Sequence, residues 1–357
     1  GSASATTFKV NQADIGAGGT NSQVVGSTGS DTLMAMNTTL DLTSTALTSV
    51  EKLQAGLATA TTFTVDAADL AASGSVIGST GTDTLVVNDS AIDLTSTTLS
   101  SVEIVKAGTS SATTFTLGSN LAALGTAGQV IGSSGNDTLT TAGTLLDLSG
   151  VTLTSVEILQ GGTNGTTFKV NQADLASGGT IVGDTTVTTD TITAMDTQLN
   201  LTSTTLTDVE VLKAGKSTAT TFTVDVADLT VMGTNGSIVG SSGNDTLVVL
   251  DTSIDLSSVS LTSVETVSAG KSGGSTFTLS AAELSSVKTI SGVTGAGSVD
   301  TLVAGTSTID LTSTTLSSIE VLKANTTDNT TFTLDAADMA GLQSITGNTG
   351  TDTLVAN

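Results

Sequence analysis

Carboxylates are the chemically most capable side chains of this chain, and they recur at intervals instead of clustering. Asp31, Asp83, Asp137, Asp190, Asp245, Asp300 and Asp352 share one spacing, and Glu51, Glu103, Glu157, Glu210, Glu265 and Glu320 share another. A third column, Asp41, Asp93, Asp147, Asp255 and Asp310, has Asn200 in place of one member. A carboxylate can serve as general acid, general base or nucleophile, but such sites need an asymmetric cluster. Sugar chemistry adds a unique acid pair and aromatic platforms. The chain has no Arg, His, Trp or Tyr, and nearly every acid belongs to a periodic column. We therefore expect no enzyme. The structural alternative is an Asp that bonds its own turn, and Asn200 keeps the acceptor while losing only the charge. The Glu column, with Lys106, Lys213 and Lys323 nearby, reads as solvated ion pairs worth little each.

Further acids fall in a repeated capping box, where one side chain accepts from the backbone three residues on and an acid there reaches back. It reads Asn11 with Asp14, Asp66 with Asp69, Asn171 with Asp174, Asp225 with Asp228, Ser280 with Glu283 and Asp335 with Asp338. The third copy departs, with Gly118-Ser119-Asn120-Leu121 in its place. These carboxylates have a sufficient structural explanation.

The elements that must hold them follow from the same period. Phe8, Phe63, Phe115, Phe168, Phe222, Phe277 and Phe332 are the only aromatic residues, and each follows a Thr. Their even spacing marks an internal repeat. Six full copies and a truncated seventh, starting near residues 5, 60, 112, 165, 219, 274 and 329, make residues 1–357 one continuous solenoid with no separate domain. Each copy divides into half-repeats of roughly 24 to 29 residues, each with two strands and a third, looser side. That side is a helical turn in one half and a strand such as Ile92 to Leu94 in the other. Phe63 and Val65 point inward with Thr64 outward. Gly26, Gly78, Gly132, Gly183, Gly240, Gly292 and Gly347 stand at strand ends, where Gly allows the positive φ of a sharp corner. Proline, which would break the ladder between coils, is absent.

The expected fold is all-β: a right-handed parallel β-solenoid, a three-sided β-helix with about two coils per 52–55-residue repeat. About thirteen coils at roughly 4.8 Å each would give a rod on the order of 60 Å. The alternative is a β-roll with coils of about 18 residues.

Composition limits the partners. With 9 basic residues against 33 acids and a net charge of -24, the chain lacks the basic stripe of a nucleic-acid binder and is ill suited to anionic membrane surfaces. No apolar run spans a membrane and no signal segment opens the chain. Disorder is set aside because 37% hydrophobic residues supply enough surface to bury. Gly1-Ser2 reads as an expression-vector scar and Asn357 stops in mid-motif, as in a fragment of something longer.

The turns Gly26-Ser27-Thr28-Gly29-Ser30-Asp31-Thr32-Leu33 and Gly132-Ser133-Ser134-Gly135-Asn136-Asp137-Thr138-Leu139 resemble the G-G-x-G-x-D-x-U-x nonapeptide of the repeats-in-toxin (RTX) proteins. The match recurs at Gly78 to Leu85, Gly240 to Leu247 and, less completely, Gly347 to Leu354. The Thr-, Ser-, Ala- and Gly-rich composition is similar to RTX-type bacterial surface-layer and large adhesin proteins. The resemblance implies Ca²⁺ held between coils, with Asp31, Asp83, Asp137, Asp245 and Asp352 as the candidate metal residues. Departures weigh against it. The second Gly of the motif is Ser, the motif is not in tandem, and on the coil count above the Asp residues sit two rungs, roughly 10 Å, apart. Copies four and six depart further, at Thr185-Thr186-Val187-Thr188-Thr189-Asp190 and Gly295-Ala296-Gly297-Ser298-Val299-Asp300.

These readings converge on a non-catalytic extracellular structural protein, a rod-like repeat of a bacterial surface layer, matrix fibre or adhesin. It would assemble end to end or laterally with itself, or continue into flanking repeats, and meet cell-surface polysaccharide. The resemblance adds a type I secretion signal in the full-length protein. The alternatives are a calcium-dependent adhesin stalk and an ice- or polymer-binding threonine array, built on Thr7, Thr62, Thr114, Thr167, Thr221, Thr276 and Thr331 and on Thr32, Thr84, Thr138, Thr191, Thr246, Thr301 and Thr353.

Overall fold

One repeat shows how the chain coils. From Thr62 it runs through the strand Thr62–Val65, a single 3₁₀ turn at Ala67–Asp69, and the strands Ser75–Ile77, Thr84–Val87, Ala91–Asp93, Thr98–Ser100 and Ile104–Ala107. The next Phe strand, Thr114–Thr116, then begins the series again. A repeat therefore has seven sides. Thr62 lies opposite Thr84, three sides on, and Thr84 opposite Ile104, three sides further. Ile104 in turn lies opposite Gln129. Three sides close one coil, and every strand pair in this stack is parallel.

The computed structural model describes residues 4–15, 22–186, 189–295, 297–325 and 329–357. Val187 and Thr188 of the fourth turn and Ala296 of the sixth lie outside these, as do Gly1 and Ser2. Two compact units are present, residues 1–168 with 173–186 and residues 169–172 with 187–357. Each is a parallel β-solenoid of the kind the repeats predict.

The side that the half-repeat division overlooks is Thr98–Ser100. It is three residues long, and only Leu99 points inward. One apolar residue between Thr and Ser shows no alternation to read. Adding it turns two coils per repeat into two coils and one side, so successive repeats start on successive faces. In the first unit Phe8, Phe63 and Phe115 belong to three different sheets, and in the second unit Phe222, Phe277 and Phe332 do the same. Equivalent residues wind around the solenoid instead of forming one column along it.

What does stack is a fixed succession of different sides. In the first unit one sheet comprises Thr39–Asp41, Thr62–Val65, Thr84–Val87, Ile104–Ala107, Gly128–Ile131 and Val151–Thr154. In the second, Gln198–Asn200, Thr221–Val224, Thr246–Val249, Thr266–Ala269, Thr289–Ser291 and Thr315–Ser317 repeat that order. A helical side follows in the succession and ends the sheet, because it has no strand edge to offer.

The inward column of the first sheet is Leu40, Phe63, Leu85, Val105 and Val130, none more than 1% exposed, and it ends on the half-buried Leu153. The one Phe of the column is flanked by Leu and followed by the smaller Val, and Phe is large enough to fill the centre of its coil. Phe115 is fully buried opposite Leu139. Phe115→Ala is expected to cost about 3–5 kcal/mol, read as loss of amide-exchange protection in the coils carrying Ile92 and Leu139.

Candidate functional site

The periodic acids meet at one kind of corner. Asp137, fully buried, accepts from Ser133 N–H at 2.6 Å and Ser133 Oγ–H at 2.9 Å through Oδ2, and from Thr113 N–H at 2.6 Å through Oδ1. Its own N–H donates to Glu157 Oε2 at 2.9 Å, and its carbonyl accepts from the N–H groups of Glu157 and Ile158. Thr113, Asp137 and Glu157 stand on three successive coils, so the pair of acids ties three layers together. Asp31, Asp83 and Asp245 have the same arrangement with Thr6, Ser27 and Glu51, with Thr61, Ser79 and Glu103, and with Thr220, Ser241 and Glu265. Asp352 accepts from Thr330 N–H and Asn348 N–H. The Ser27 N–H bond, opposed by burial, holds Asp31 below the usual carboxylate range.

This donor set does not fit calcium. Calcium needs six or more converging oxygens, whereas both oxygens of each of these Asp residues face N–H or O–H donors. The corners of one unit also lie on different edges, since Asp31, Asp83 and Asp137 each precede a strand of a different sheet. Among the described residues no three acids gather as a metal group would. Adding a calcium chelator is therefore expected to leave the thermal melt unchanged, and a downward shift would contradict the hydrogen-bonded corner.

Two sequence readings are corrected here. The Glu side chains do not pair with Lys106, Lys213 and Lys323; Glu103, Glu210 and Glu320 instead accept from the N–H of Asp83, Asp190 and Asp300 at 2.8 Å. The corner glycines are not chosen for positive φ. A Cβ on Gly78 or Gly132 would overlap the carbonyl oxygen of Ser101 or Ser155 on the next coil, so close approach of backbones is the reason. The left-handed residues are those serines themselves, with φ of 51° at Ser101 and Ser155.

The helical sides confirm the capping boxes at Asn11, Asp66, Asp225 and Asp335. Ser280 N–H likewise donates to Glu283 at 2.6 Å. Asp69, Asp228 and Asp338 are each 3 to 4% exposed. Burial, with Asp66, Asp41 and Asp89 adding negative charge, pushes Asp69 up to about 7 against the opposing Asp66 N–H bond. Burial does the same to Asp228, also to about 7, with Asp225 adding to it, and burial raises Asp338. In the third copy Asn120 is buried instead. Its amide donates to Leu94 O and Thr97 O, both at 2.6 Å, and accepts from Leu99 N–H at 3.0 Å.

Sequence reasoning missed the two glutamines of these turns. Gln12 donates to Asp41 O and accepts from Asp41 N–H, and Gln172 does so with Asn200. Each primary amide supplies the two bonds a missing strand would make. Where Val226 stands instead, the step is an open groove lined by Leu229, Thr230, Asp251 and Asp255. The third acidic column is local as expected: Asp93 accepts from Thr95 N–H and Oγ–H, and Asn200 accepts likewise from Thr202.

The outward threonines form ladders of unequal length: five rungs in the second unit, Thr221, Thr246, Thr266, Thr289 and Thr315, and three in the corresponding sheet of the first. Thr39, Thr62 and Thr84 stack, but Ile104 and Gln129 follow them in the column. The companion column reads Asp41, Thr64, Val86, Lys106 and Ile131. No described helix is long and apolar enough to cross a membrane. Compared with family models, curated proteins and solved structures, the chain matches none.

Proposed function

We propose that the chain is a non-catalytic structural repeat of an extracellular bacterial surface layer, matrix fibre or adhesin, built to space and to assemble. The supporting observation is the distribution of its acids. Each repeat commits its corner Asp and Glu to tying three coils together, and the seven-side period then spreads these corners over all edges. No face of a unit collects, among the described residues, the unlike groups that a reaction centre combines. The threonine ladders are of unequal length, and beside the five-rung ladder from Thr221 to Thr315 the companion column reads Thr223, Val248, Ser268, Ser291 and Ser317. A Thr-x-Thr face does not persist along that sheet, so the scaffold reading is favoured over an ordered-water surface. A negative net charge keeps such a scaffold soluble until its contacts are made.

Electron microscopy of the purified chain over a concentration series tests assembly: sheets or fibres are expected, and separate particles throughout would remove that part of the proposal. Turnover of any polysaccharide substrate, abolished by substitution of a named acid, would overturn the non-catalytic part.

A further inference from the structure

We infer that the helical sides carrying Asp69, Asp228 and Asp338 are proton-dependent seams, closed when these side chains are neutral and loosened when they ionise. Each helical side packs on the Thr-Leu strand of the preceding coil: Ala67–Asp69 on Thr45–Thr48, Val226–Met232 on Thr205–Thr207 and Ala336–Gly341 on Thr315–Ser317. The third copy shows what that surface asks of its partner. Asn120, on the turn packed against Thr98–Ser100, gives two N–H bonds to the carbonyls of Leu94 and Thr97. An ionised carboxylate in the equivalent place can only accept, and would face those carbonyls as a second set of acceptors. A protonated carboxyl can give one bond, as the amide gives two. The hydroxyls of Thr45, which opens the strand beneath Asp69, and of Thr204, just before the strand beneath Asp228, are buried without a partner, so neither of them supplies a donor to an ionised acid.

The charged groups around each seam are of one sign. Asp66 at the head of the same turn, Asp41 at the end of the strand that precedes the packed Thr45–Thr48, and Asp89 just before Ala91–Asp93 on the following coil surround Asp69. Asp225 adjoins Asp228, and Asp335 adjoins Asp338. The packed strands Thr45–Thr48, Thr205–Thr207 and Thr315–Ser317 contain only Thr, Ala, Leu and Ser. No lysine figures among the charges acting on these carboxylates. Both burial and repulsion therefore favour the neutral form.

The direction of the pH effect follows. The folded value lies above the ordinary 3.8, so the fold binds the proton more tightly than the unfolded chain does. The stabilisation is complete below the unfolded value and is lost as pH rises through about 7. Because a solenoid's stability is a sum of neighbour terms, the loss is local to the seams.

The experiment uses the full chain and two triple variants. Asp69→Asn/Asp228→Asn/Asp338→Asn places at each seam the residue that the third copy already carries. Asp93→Asn/Asp255→Asn/Asp310→Asn removes the same charge from the exposed column, where the fourth copy already carries Asn200. The parent melting temperature is expected to fall by about 5 °C or more between about pH 5 and pH 8.5. The seam triple should flatten most of that fall and the exposed triple should keep it. Equal slopes in all three, or equal flattening by both triples, would overturn the proposal. Infrared spectra of the parent near pH 5.5 should show a protonated-carboxyl stretch that disappears by about pH 8.5. Its absence would overturn the proposal even if the seam triple failed to fold.

Discussion

Asp137→Ala is expected to cost about 3–5 kcal/mol, more than any surface acid in the chain, because three donors lose one acceptor group. Thr113 N–H sits 2.6 Å from Oδ1, and Ser133 N–H and Oγ–H lie 2.6 and 2.9 Å from Oδ2. Thr113 is itself only 1% exposed, so water cannot replace the lost bond without opening the corner. Asp137→Asn should recover only part of the loss, since one amide edge would present N–H to an N–H. Urea titration and amide exchange read both variants. Protection should fall in the coils of Thr113, Asp137 and Glu157 together and hold elsewhere, and an effect confined to the loop residues Ser133–Asn136 would contradict the three-coil tie. Asp93→Ala, by contrast, removes only the local bonds to Thr95 at the surface, and about 1 kcal/mol is the expected cost.

Gly132→Ala is the companion case on the backbone side. The added methyl would overlap Ser155 O outright and lie 2.7 Å from Asp137 Oδ2. Neither the carbonyl nor the buried carboxylate is free to swing away, so the two coils must separate at that corner. The expected cost is about 3 kcal/mol or more, with loss of the Gly132 N–H bond to Thr154 O. Gly143→Ala is the control: the nearest atom to its added methyl is Thr141 Oγ1 at 3.7 Å, so a change within about 0.5 kcal/mol is expected. Equal melting of the two variants would show that the corner tolerates a side chain and that the close-approach account is wrong.

Much of this could be read from residue order because the repeats repeat their physics. The Phe register announced the core, and Phe63, Phe115, Phe222 and Phe277 are fully buried. The pairing of Asp66 with Asp69 announced a capped turn, and the turn is there. Asn200 standing in for Asp was enough to identify the local bond to Thr202. What stayed hidden has physical causes too. Thr98–Ser100 buries one side chain and owes its strand state to the coils on either side. Gly78 is fixed by the carbonyl of Ser101, a full coil later in the chain. Glu103 looked like a partner for Lys106, because strand neighbours in sequence are visible and corner neighbours one coil away are not. Gln12 and Gln172 have no local reason to be amides; the strand edges they cap, at Asp41 and Asn200, lie one coil further on.

Disulfide trapping tests the seven-side, three-to-a-coil winding most directly, since the chain has no cysteine of its own. Thr62 and Thr84 are register partners on adjacent coils. Parallel neighbours about 4.8 Å apart fall within disulfide reach, so the Thr62→Cys/Thr84→Cys variant should close its bridge under mild oxidation. Thr62 and Thr114 hold the same place in successive repeats but lie in different sheets, and the Thr62→Cys/Thr114→Cys variant should remain reduced. Closure of the second pair with failure of the first would mean that repeats stack directly upon one another, and the winding described above would be wrong.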